Sequence, residues 1–398
     1  MVAAFVLMEG AGNDTDNAGV ERARPGSAGA SLRAVAVGEG TKFLGAAARV
    51  QAGPERVRDC HAEVLARRAL CRWLRAQLAA ARAGCRPPQC ALEPSGDGDG
   101  HFRLAAGLSL HLYVSSAPCG NACVRAWAKG AKECFREELG ARCWPTEAHP
   151  TLFLSAAKEG QVAMLAKRDG DAPEAAARGS GGDGDGDSAH PQAADFGPAV
   201  PPGCVPLGLG LGSTLTCSDK LMVWCALGVQ GAALSASVAP VRPASITVGR
   251  KFHGAALRRA VCCRTKGWLA KRGRGDAELL LFAPERCPAV MCTAMVQNTG
   301  NLPDEGACFD DPTALAWAEG DEAPERIDGR TGLSLSNPAA PPLVSRAALY
   351  GPAGREASAA APRARAYAAA KRALFDAPGL RWAPHAESGG SAAKRPRR

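Results

Sequence analysis

The sequence lacks any apolar run long enough to cross a lipid bilayer, and it lacks the marks of a secretory signal. Residues 3–8 are apolar, but no basic segment precedes them and no small-residue cleavage site follows them. This segment therefore predicts a β-strand. The chain as a whole predicts a protein of the nucleus, the cytoplasm or both, without a membrane partner.

Disulfide bonds are not expected either, although the 398 residues include 16 cysteines. Without a secretory signal, these cysteines are interpreted as reduced thiols, some of them core residues and a few of them metal ligands. Apolar residues make up 46% of the chain, which is enough to build a sizeable core.

Basic residues outnumber acidic ones, with 48 Lys and Arg against 39 Asp and Glu, so the formal net charge is +9. A charge of this sign suits a polyanionic partner such as RNA. The competing explanation is biased codon usage in a chain rich in Ala, Gly and Arg. The charge alone therefore does not identify the partner.

One segment has too few apolar residues to order itself. Residues 169–203 are rich in Gly, Ala, Pro and Asp, which predicts a disordered insertion within a single domain of residues 1–390. An Asp-Gly repeat there resembles the start of a calcium loop, but Ala194 stands where the closing Glu would be. Residues 391–398 form a basic tail of the nuclear-localisation type.

The most informative local motif is His61-Ala62-Glu63, which opens a helical pattern ending near Gly84. Alone, it is more often a cap or a packed surface residue. Pro118-Cys119 makes a functional interpretation of His61-Ala62-Glu63 stronger, because this Pro-Cys pair directly follows the alternating strand pattern LSLHLYVS. His-x-Glu followed by Pro-Cys is typical of zinc deaminases, in which one His and two Cys bind Zn²⁺ while the Glu transfers the protons.

The residues themselves leave the third zinc ligand open. Cys123 follows Cys119 by one residue more than the usual spacing, yet on a helix it would face the same side. Cys217 is the alternative, because it precedes the cap-type residues Ser218 and Asp219. A helix beginning there would place the Cys217 thiolate at its N-terminus.

Six segments together resemble the editing-type adenosine deaminases of RNA, most closely their tRNA-specific branch. They are GTKFLG from Gly40, DCHAEVLARRAL from Asp59, YVSSAPCG from Tyr113, LTCSDKLMVW from Leu215, IDGRTG from Ile327 and YAAAKRALF from Tyr367. The resemblance implies an α/β fold: a cytidine-deaminase-like three-layer α/β/α core with a mixed sheet, elaborated by additional C-terminal helices. It also implies that His61, Cys119 and Cys217 bind zinc, that Glu63 is catalytic and that Cys123 is a bystander.

The resemblance further implies a buried, structural inositol hexakisphosphate. Its expected ligands are Arg67, Arg68, Thr214, Lys220, Arg346, Tyr367, Lys371 and Trp382. Cations forced together in a core are unfavourable without a counter-anion, and a polyphosphate offers each of them a charge-assisted hydrogen bond. Two departures imply an altered site: Val223 stands where the family often has Arg, and Arg58 stands in place of Asn.

The function implied is zinc-dependent hydrolytic deamination of adenosine to inosine in tRNA, next to the anticodon of alanine tRNA. The enzyme would be a hydrolase acting on a cyclic amidine C–N bond. Thr41 and Lys42 are implied to contact the ribose and phosphate of the target nucleotide, although an ordinary solvated turn is the simpler interpretation of these two residues. No obligate protein partner is inferred.

Three other functions stay open. A deaminase of free nucleosides would be a much shorter chain without the C-terminal helices. A deaminase of double-stranded or messenger RNA is disfavoured, because the segment before Gly40 is too short for a double-stranded-RNA-binding domain. An inactive, zinc-stabilised RNA-binding module would keep the three zinc ligands but would not need Glu63.

Overall fold

The computed structural model describes somewhat more than half of the chain. The described residues are 1–10, 31–44, 48, 51–96, 100–119, 122, 153–155, 162–164, 214–250, 252, 254–263, 288–293, 311–351 and 361–375. The predicted insertion, the basic tail, Cys123 and Trp382 lie outside them, so those predictions and the 1–390 domain boundaries stay predictions.

A seven-stranded sheet forms the centre of the fold, with the strand order β12-β11-β7-β1-β2-β13-β14. The strands of this sheet are β1 (Val2–Glu9), β2 (Ser31–Glu39), β7 (Leu108–Val114), β11 (Pro243–Val248), β12 (Ala289–Cys292), β13 (Thr313–Ala318) and β14 (Glu325–Asp328).

Smaller ribbons surround the sheet. They are built from β3 (Thr41–Phe43), β4 (Asp59–His61), β5 (Leu92–Pro94), β6 (Phe102–Leu104), β8 (Phe153–Ser155), β9 (Val162–Met164) and β10 (Thr214–Leu215). The helices are α1 (Ala62–Arg82), α2 (Cys217–Leu227), α3 (Gly231–Ser235), α4 (Gly254–Arg258, continued by a π-helical turn over Arg259–Cys263), α5 (Arg346–Tyr350) and α6 (Pro362–Phe375).

The sheet is mixed. β1 runs antiparallel to β2 and β7, whereas β11 runs parallel to both β7 and β12. Parallel neighbours need long crossover connections, and here α2 and α3 lie between β7 and β11 in the chain while α4 lies between β11 and β12. The predicted α/β class with a mixed sheet is therefore confirmed.

Helix α1 packs against β1, β2 and β13 and forms the main layer on the sheet. The alternation in β1 buries Ala3, Phe5 and Leu7 on the face toward the core. Leu65 and Leu70 bring the fully buried side of α1 onto that face. The helix predicted to run from residue 61 to about residue 84 is confirmed.

Helices α5 and α6 lie toward the C-terminus, and α6 packs against α3 and α2. No described helix is both long enough and apolar enough to cross a membrane. Most described cysteines are free thiols, as expected, but Cys262 is in a disulfide and departs from that expectation.

Candidate active site and cation cluster

The candidate active site is built where β4 ends and α1 begins. His61 is the last residue of β4 and has an extended backbone, and the Ala62 amide donates to the Gly40 carbonyl at 3.1 Å. Gly40 has φ +155°, and a Cβ on it would lie 2.1 Å from the Cys60 carbonyl oxygen. Only glycine fits this junction, which fixes the first turn of α1 and with it Glu63.

Glu63 is 1% exposed, and neither of its carboxylate oxygens has a hydrogen-bond partner among the described residues. Burying an unpartnered carboxylate costs free energy, so a fold does not keep one without a reason. Its place in the first turn of α1 lets the helix dipole favour its negative charge. The carboxylate is thus free to act on a bound molecule.

Cys217 is the first residue of α2, as the sequence predicted, and it lies against Cys119. The Cys217 amide donates to Cys119 Sγ at 3.3 Å across 98 positions of the chain. The predicted cap was wrong in detail. Thr216 is the N-cap, and it forms a capping box with Asp219 rather than leaving the cap to Ser218 or Asp219.

Ser218 fastens the segment around Cys119 to the start of α2. Its amide and its hydroxyl both donate to the Cys119 carbonyl, at 3.0 and 2.8 Å, and the hydroxyl also accepts from the Ala122 amide at 3.0 Å. Ser218 is fully buried, so its effect is structural. It keeps the two thiols at one helix N-terminus.

The two thiols have opposite pKa shifts. A hydrogen bond from Cys217, helped by the charge of His61, lowers the pKa of Cys119 to about 7. The same hydrogen bond and burial raise the pKa of Cys217 well above its ordinary value. Near neutral pH the pair therefore carries one thiolate, the form in which cysteine binds metals, on Cys119.

Asp59 and Phe43 hold the His61 ring. Nδ1 of His61 lies 2.7 Å from Asp59 Oδ1, and the ring stacks on Phe43 with centroids 5.5 Å apart. Burial opposes the charged imidazolium, but the Asp59 carboxylate and its hydrogen bond raise the pKa of His61 to about 9. A carboxylate on Nδ1 leaves Nε2 to bind a ligand.

Asp59, to which no sequence motif assigned a role, links His61 to Lys220. Its second oxygen, Oδ2, accepts from Lys220 Nζ. Burial would raise the pKa of Asp59, but Lys220 and His61 bring it far below its usual range. The spacing in the sequence could have indicated this contact, because residues two apart on a strand such as β4 face the same side.

The donor types fit zinc: one imidazole and two cysteine sulfurs, beside a carboxylate whose oxygens have no hydrogen-bond partner in the described part of the chain. Electrostatic interactions connect His61, Glu63 and the two cysteines. As the side chains stand, no three His, Cys, Asp or Glu residues in the described part of the chain form a complete metal-binding group. Zinc therefore stays a proposal, with His61, Cys119 and Cys217 as the residues that would bind it.

A second group of predicted residues gathers beyond α1. Arg67 Nε donates to the Val229 carbonyl at 2.8 Å, and its guanidinium lies 5.9 Å from the centre of the Trp224 ring. Arg68 donates to the Val344 carbonyl at 2.8 Å. Burial and the neighbouring Arg67 lower the pKa of Arg68.

Lys371 on α6 belongs to the same cluster. Burial lowers its pKa, and the charges of Arg67 and Arg346 lower it further. Tyr367, also on α6, is 4% exposed, and its hydroxyl lies 3.5 Å from the Gly228 carbonyl. Burial opposes the charge of Arg67 as well, but Cys71, Tyr350 and Tyr367 raise its pKa. Burial and the charge of Arg67 lower the pKa of Arg68 and of Lys371, and this favours an anionic ligand.

Two further predicted polyphosphate ligands cannot be placed in this cluster. Thr214 lies in β10, but its side chain is outside the described residues, as is the whole of Trp382. Lys220 donates to Asp59, and through Asp59 it is connected with His61. We call Arg67, Arg68, Arg346, Tyr367 and Lys371 the cation cluster.

Thr41 and Lys42 lie on β3, which pairs with β4. Thr41 is opposite His61, and Lys42 is opposite Cys60. A Cβ on Gly329 would lie 2.9 Å from the Cβ of Lys42, so the turn after β14 packs against this lysine. Both predicted substrate contacts are thus next to the candidate active site, and both are partly exposed.

Two features together define a deaminase-like class of protein. One is the mixed sheet, and the other is a helix N-terminus with His and Glu beside a second helix N-terminus with Cys. The profile of the Adenosine-deaminase (editase) domain family matches residues 36–372. The chain therefore belongs to that family.

The chain is similar to curated proteins of two kinds. It is 28% identical to the mouse (Mus musculus) "Double-stranded RNA-specific adenosine deaminase", over 53% of this chain and 15% of that protein. It is 27% identical to the Drosophila melanogaster "Double-stranded RNA-specific editase Adar", over 70% of this chain and 34% of that protein. It therefore spans about a third or less of those two relatives.

The other kind is the mouse "tRNA-specific adenosine deaminase 1". The chain is 25% identical to it, over 79% of this chain and 75% of that protein.

Proposed function

We propose that this protein is an RNA adenosine deaminase whose site contains zinc. The observation that carries the proposal is Glu63, a buried carboxylate without a hydrogen-bond partner among the described residues, which interacts electrostatically with both Cys119 and Cys217. An RNA-binding module stabilised by zinc would gain nothing from that carboxylate. Hydrolytic deamination requires it as a proton carrier.

The reaction consumes one water and releases one ammonia. The water oxygen bonds to C6 of adenosine, the C6–N bond breaks, and inosine remains. Glu63 accepts a proton from the water and delivers it to the departing amine. Asp59 holds His61 in one orientation, and Ser218 holds Cys119 beside Cys217. When bound, zinc would supply the positive charge that makes the water a nucleophile near neutral pH.

The substrate we propose is tRNA, with alanine tRNA as the target. Support comes from the coverage of 75% of the tRNA-specific mouse relative, against 15% and 34% of the double-stranded-RNA-specific ones. The net charge of +9 suits any RNA and does not discriminate. Similar identities to both kinds of relative keep duplex RNA as the alternative that an experiment must decide.

Incubation of the purified protein with alanine tRNA is expected to yield inosine next to the anticodon, whereas a long RNA duplex is expected to remain adenosine. Sequencing of both RNAs after incubation measures this, and free adenosine in a third reaction tests a nucleoside deaminase. A Glu63→Gln variant is the negative control. Inosine in the duplex alone would contradict the tRNA assignment but leave the deaminase assignment intact.

We also propose that the cation cluster, together with Lys220, Thr214 and Trp382, binds inositol hexakisphosphate as a structural group. Burial, with the charge of Arg67, lowers the pKa of Arg68 and of Lys371, and a polyanion bound there would oppose this lowering, which supports the proposal. A polyphosphate held there would stabilise the packing of α6 on α2 and α3.

Thr41 and Lys42 are proposed to contact the ribose and phosphate of the target nucleotide, because β3 lies directly beside His61. Lys42→Ala is expected to weaken tRNA binding and to reduce the slope of log affinity against log salt by about one. Binding titrations at several salt concentrations measure this slope. Arg103→Ala is the matched control, since Arg103 is largely exposed and pairs with Glu93 on a separate ribbon. An unchanged slope for Lys42→Ala would remove that residue from the interface.

A further inference from the structure

The turn after β14 lies within the segment IDGRTG, to which the family resemblance assigns no site residue. We call residues 328–332 the β14 turn. The Asp328 carboxylate accepts from the Arg330 amide at 2.8 Å and from the Thr331 hydroxyl at 3.0 Å. The Gly332 amide donates to the Asp328 carbonyl at 2.7 Å. These hydrogen bonds lie within the turn itself and fix its shape locally.

Two backbone hydrogen bonds attach the β14 turn to its surroundings. The Val57 amide, two residues before β4, donates to the Gly332 carbonyl at 2.9 Å. The Gly329 amide donates to the carbonyl of Pro312, directly before β13, at 2.7 Å. The turn therefore lies where the ribbon of β3 and β4 meets the seven-stranded sheet.

Gly329 packs directly against the lysine that is proposed to contact RNA. A Cβ on Gly329 would lie 2.9 Å from Cβ and 3.4 Å from Cγ of Lys42, and 2.8 Å from the Pro312 carbonyl oxygen. The first carbons of the Lys42 side chain therefore lie on the glycine. The φ of Gly329 is outside the left-handed region, so lack of space and not backbone strain excludes a larger residue here.

Strand β3 would move before β13 if the turn were enlarged. β13 pairs with both β2 and β14 in the seven-stranded sheet, whereas β3 has three residues and belongs to a two-stranded ribbon with β4. Fewer backbone hydrogen bonds hold β3, so an added methyl group would displace Lys42 rather than Pro312. Lys42 follows Thr41, which is opposite His61. The β14 turn thus sets where both proposed RNA contacts lie relative to the candidate active site.

We propose that Gly329 is a positioning residue for RNA binding. By leaving room for the Lys42 side chain, it holds β3 where Thr41 and Lys42 meet the ribose and phosphate of the target nucleotide. The proposal rests on the proposed RNA contacts of these two residues, and it adds the element that sets their position. Gly329 is assigned no contact with the RNA itself, and its effect is exerted through Lys42.

A purely structural role of Gly329 predicts a different result. If the glycine only completes the hairpin of β13 and β14, its replacement lowers the melting temperature and leaves the RNA contacts of the folded protein unchanged. If it positions Lys42, its replacement removes a phosphate contact from a protein that is still folded. The salt dependence of tRNA binding separates the two roles, because its slope reports the number of phosphate contacts.

The test measures the affinity of the full chain for alanine tRNA at several salt concentrations. Gly329→Ala is expected to weaken binding by about tenfold, because one charge-assisted hydrogen bond is lost. It is also expected to reduce the slope of log affinity against log salt by about one, as Lys42→Ala does.

Gly320→Ala is the matched control. Gly320 lies between β13 and β14 with φ +98°, and no described atom is within 4 Å of a Cβ added to it. Its replacement strains the backbone of the same hairpin without pressing on β3. Gly320→Ala is therefore expected to lower the melting temperature and to leave the slope at the wild-type value.

A double variant shows whether Gly329 acts through Lys42. Lys42→Ala already lacks the ammonium group, so the addition of Gly329→Ala is expected to reduce the slope no further. A further reduction by about one would mean that Gly329 acts on another phosphate contact, and it would overturn the proposal.

The other outcomes are distinct from one another. A wild-type slope for Lys42→Ala removes the phosphate contact, and the positioning role of Gly329 with it, while inosine formation by the wild-type protein tests the deaminase assignment separately. If Lys42→Ala loses the contact and folded Gly329→Ala binds like wild type, the proposal is wrong and the contact stands. Should Gly329→Ala not fold, Thr331→Val decides, because it removes one hydrogen bond of the turn without adding volume or charge. A wild-type slope for Thr331→Val then overturns the proposal, and a slope between those of wild type and Lys42→Ala supports it.

Discussion

Glu63→Gln is expected to reduce the rate of inosine formation by about a thousandfold or more, because general acid–base catalysis contributes on the order of 10² to 10⁴ and no other described carboxylate is assigned to the reacting base. The amide has the shape of the carboxylate but cannot accept and return a proton. Zinc content is expected to stay at the wild-type level, since Glu63 is not a proposed ligand. The measurements are kcat with alanine tRNA and metal analysis of the same preparation.

The thermal stability of this variant separates a catalytic role from a structural one. Glu63 is 1% exposed and its oxygens have no partner among the described residues, so replacing its charge removes a desolvation cost. The melting temperature is therefore expected to be equal to or above that of wild type. Glu93→Gln is the control, because Glu93 pairs with Arg103 on a surface ribbon. A stable, zinc-containing Glu63→Gln with normal kcat would exclude Glu63 from the chemistry.

Local sequence patterns predicted the regular elements near the site. The alternation in residues 108–115 corresponds to β7, and the helical spacing after His61 corresponds to α1. These patterns succeed because each depends only on neighbours along the chain and on which side of the element is buried. The order of strands in the sheet depends on crossovers, which local periodicity does not encode.

The proximity of Cys119 and Cys217 could not be derived from local pattern, because 98 positions separate them. Spacing favoured Cys123, whereas the cap-type residues after Cys217 and the family resemblance favoured Cys217. The structure holds Cys217 beside Cys119 through hydrogen bonds from the amide and the hydroxyl of Ser218 to the Cys119 carbonyl. Those contacts are made by amide and hydroxyl groups that any Ser in any helix also carries, so they leave no distinctive pattern in the sequence.

No sequence motif assigned a role to Asp59. Asp59 shares a strand face with His61, and reading β4 as a strand would have identified it.

Replacement of Cys217 by Ser is expected to remove the bound zinc and all measurable deamination. A hydroxyl at the N-terminus of α2 does not ionise to a metal-binding form near neutral pH, whereas a thiol paired with Cys119 does so when a metal displaces its proton. Cys119 would be left with His61 alone, and two ligands hold zinc poorly. Metal analysis of the purified variant, paired with the inosine assay, measures both losses.

Two matched variants are the controls for the Cys217→Ser experiment. Cys225→Ser removes a buried thiol from the same helix, two turns further along, and is expected to leave zinc and activity close to wild type. Cys123→Ser tests the rival ligand, which lies outside the described residues, and is also expected to keep both. If zinc is lost with Cys123→Ser and kept with Cys217→Ser, the third ligand is Cys123. The hydrogen bond between the Cys217 amide and Cys119 would then serve only to position Cys119.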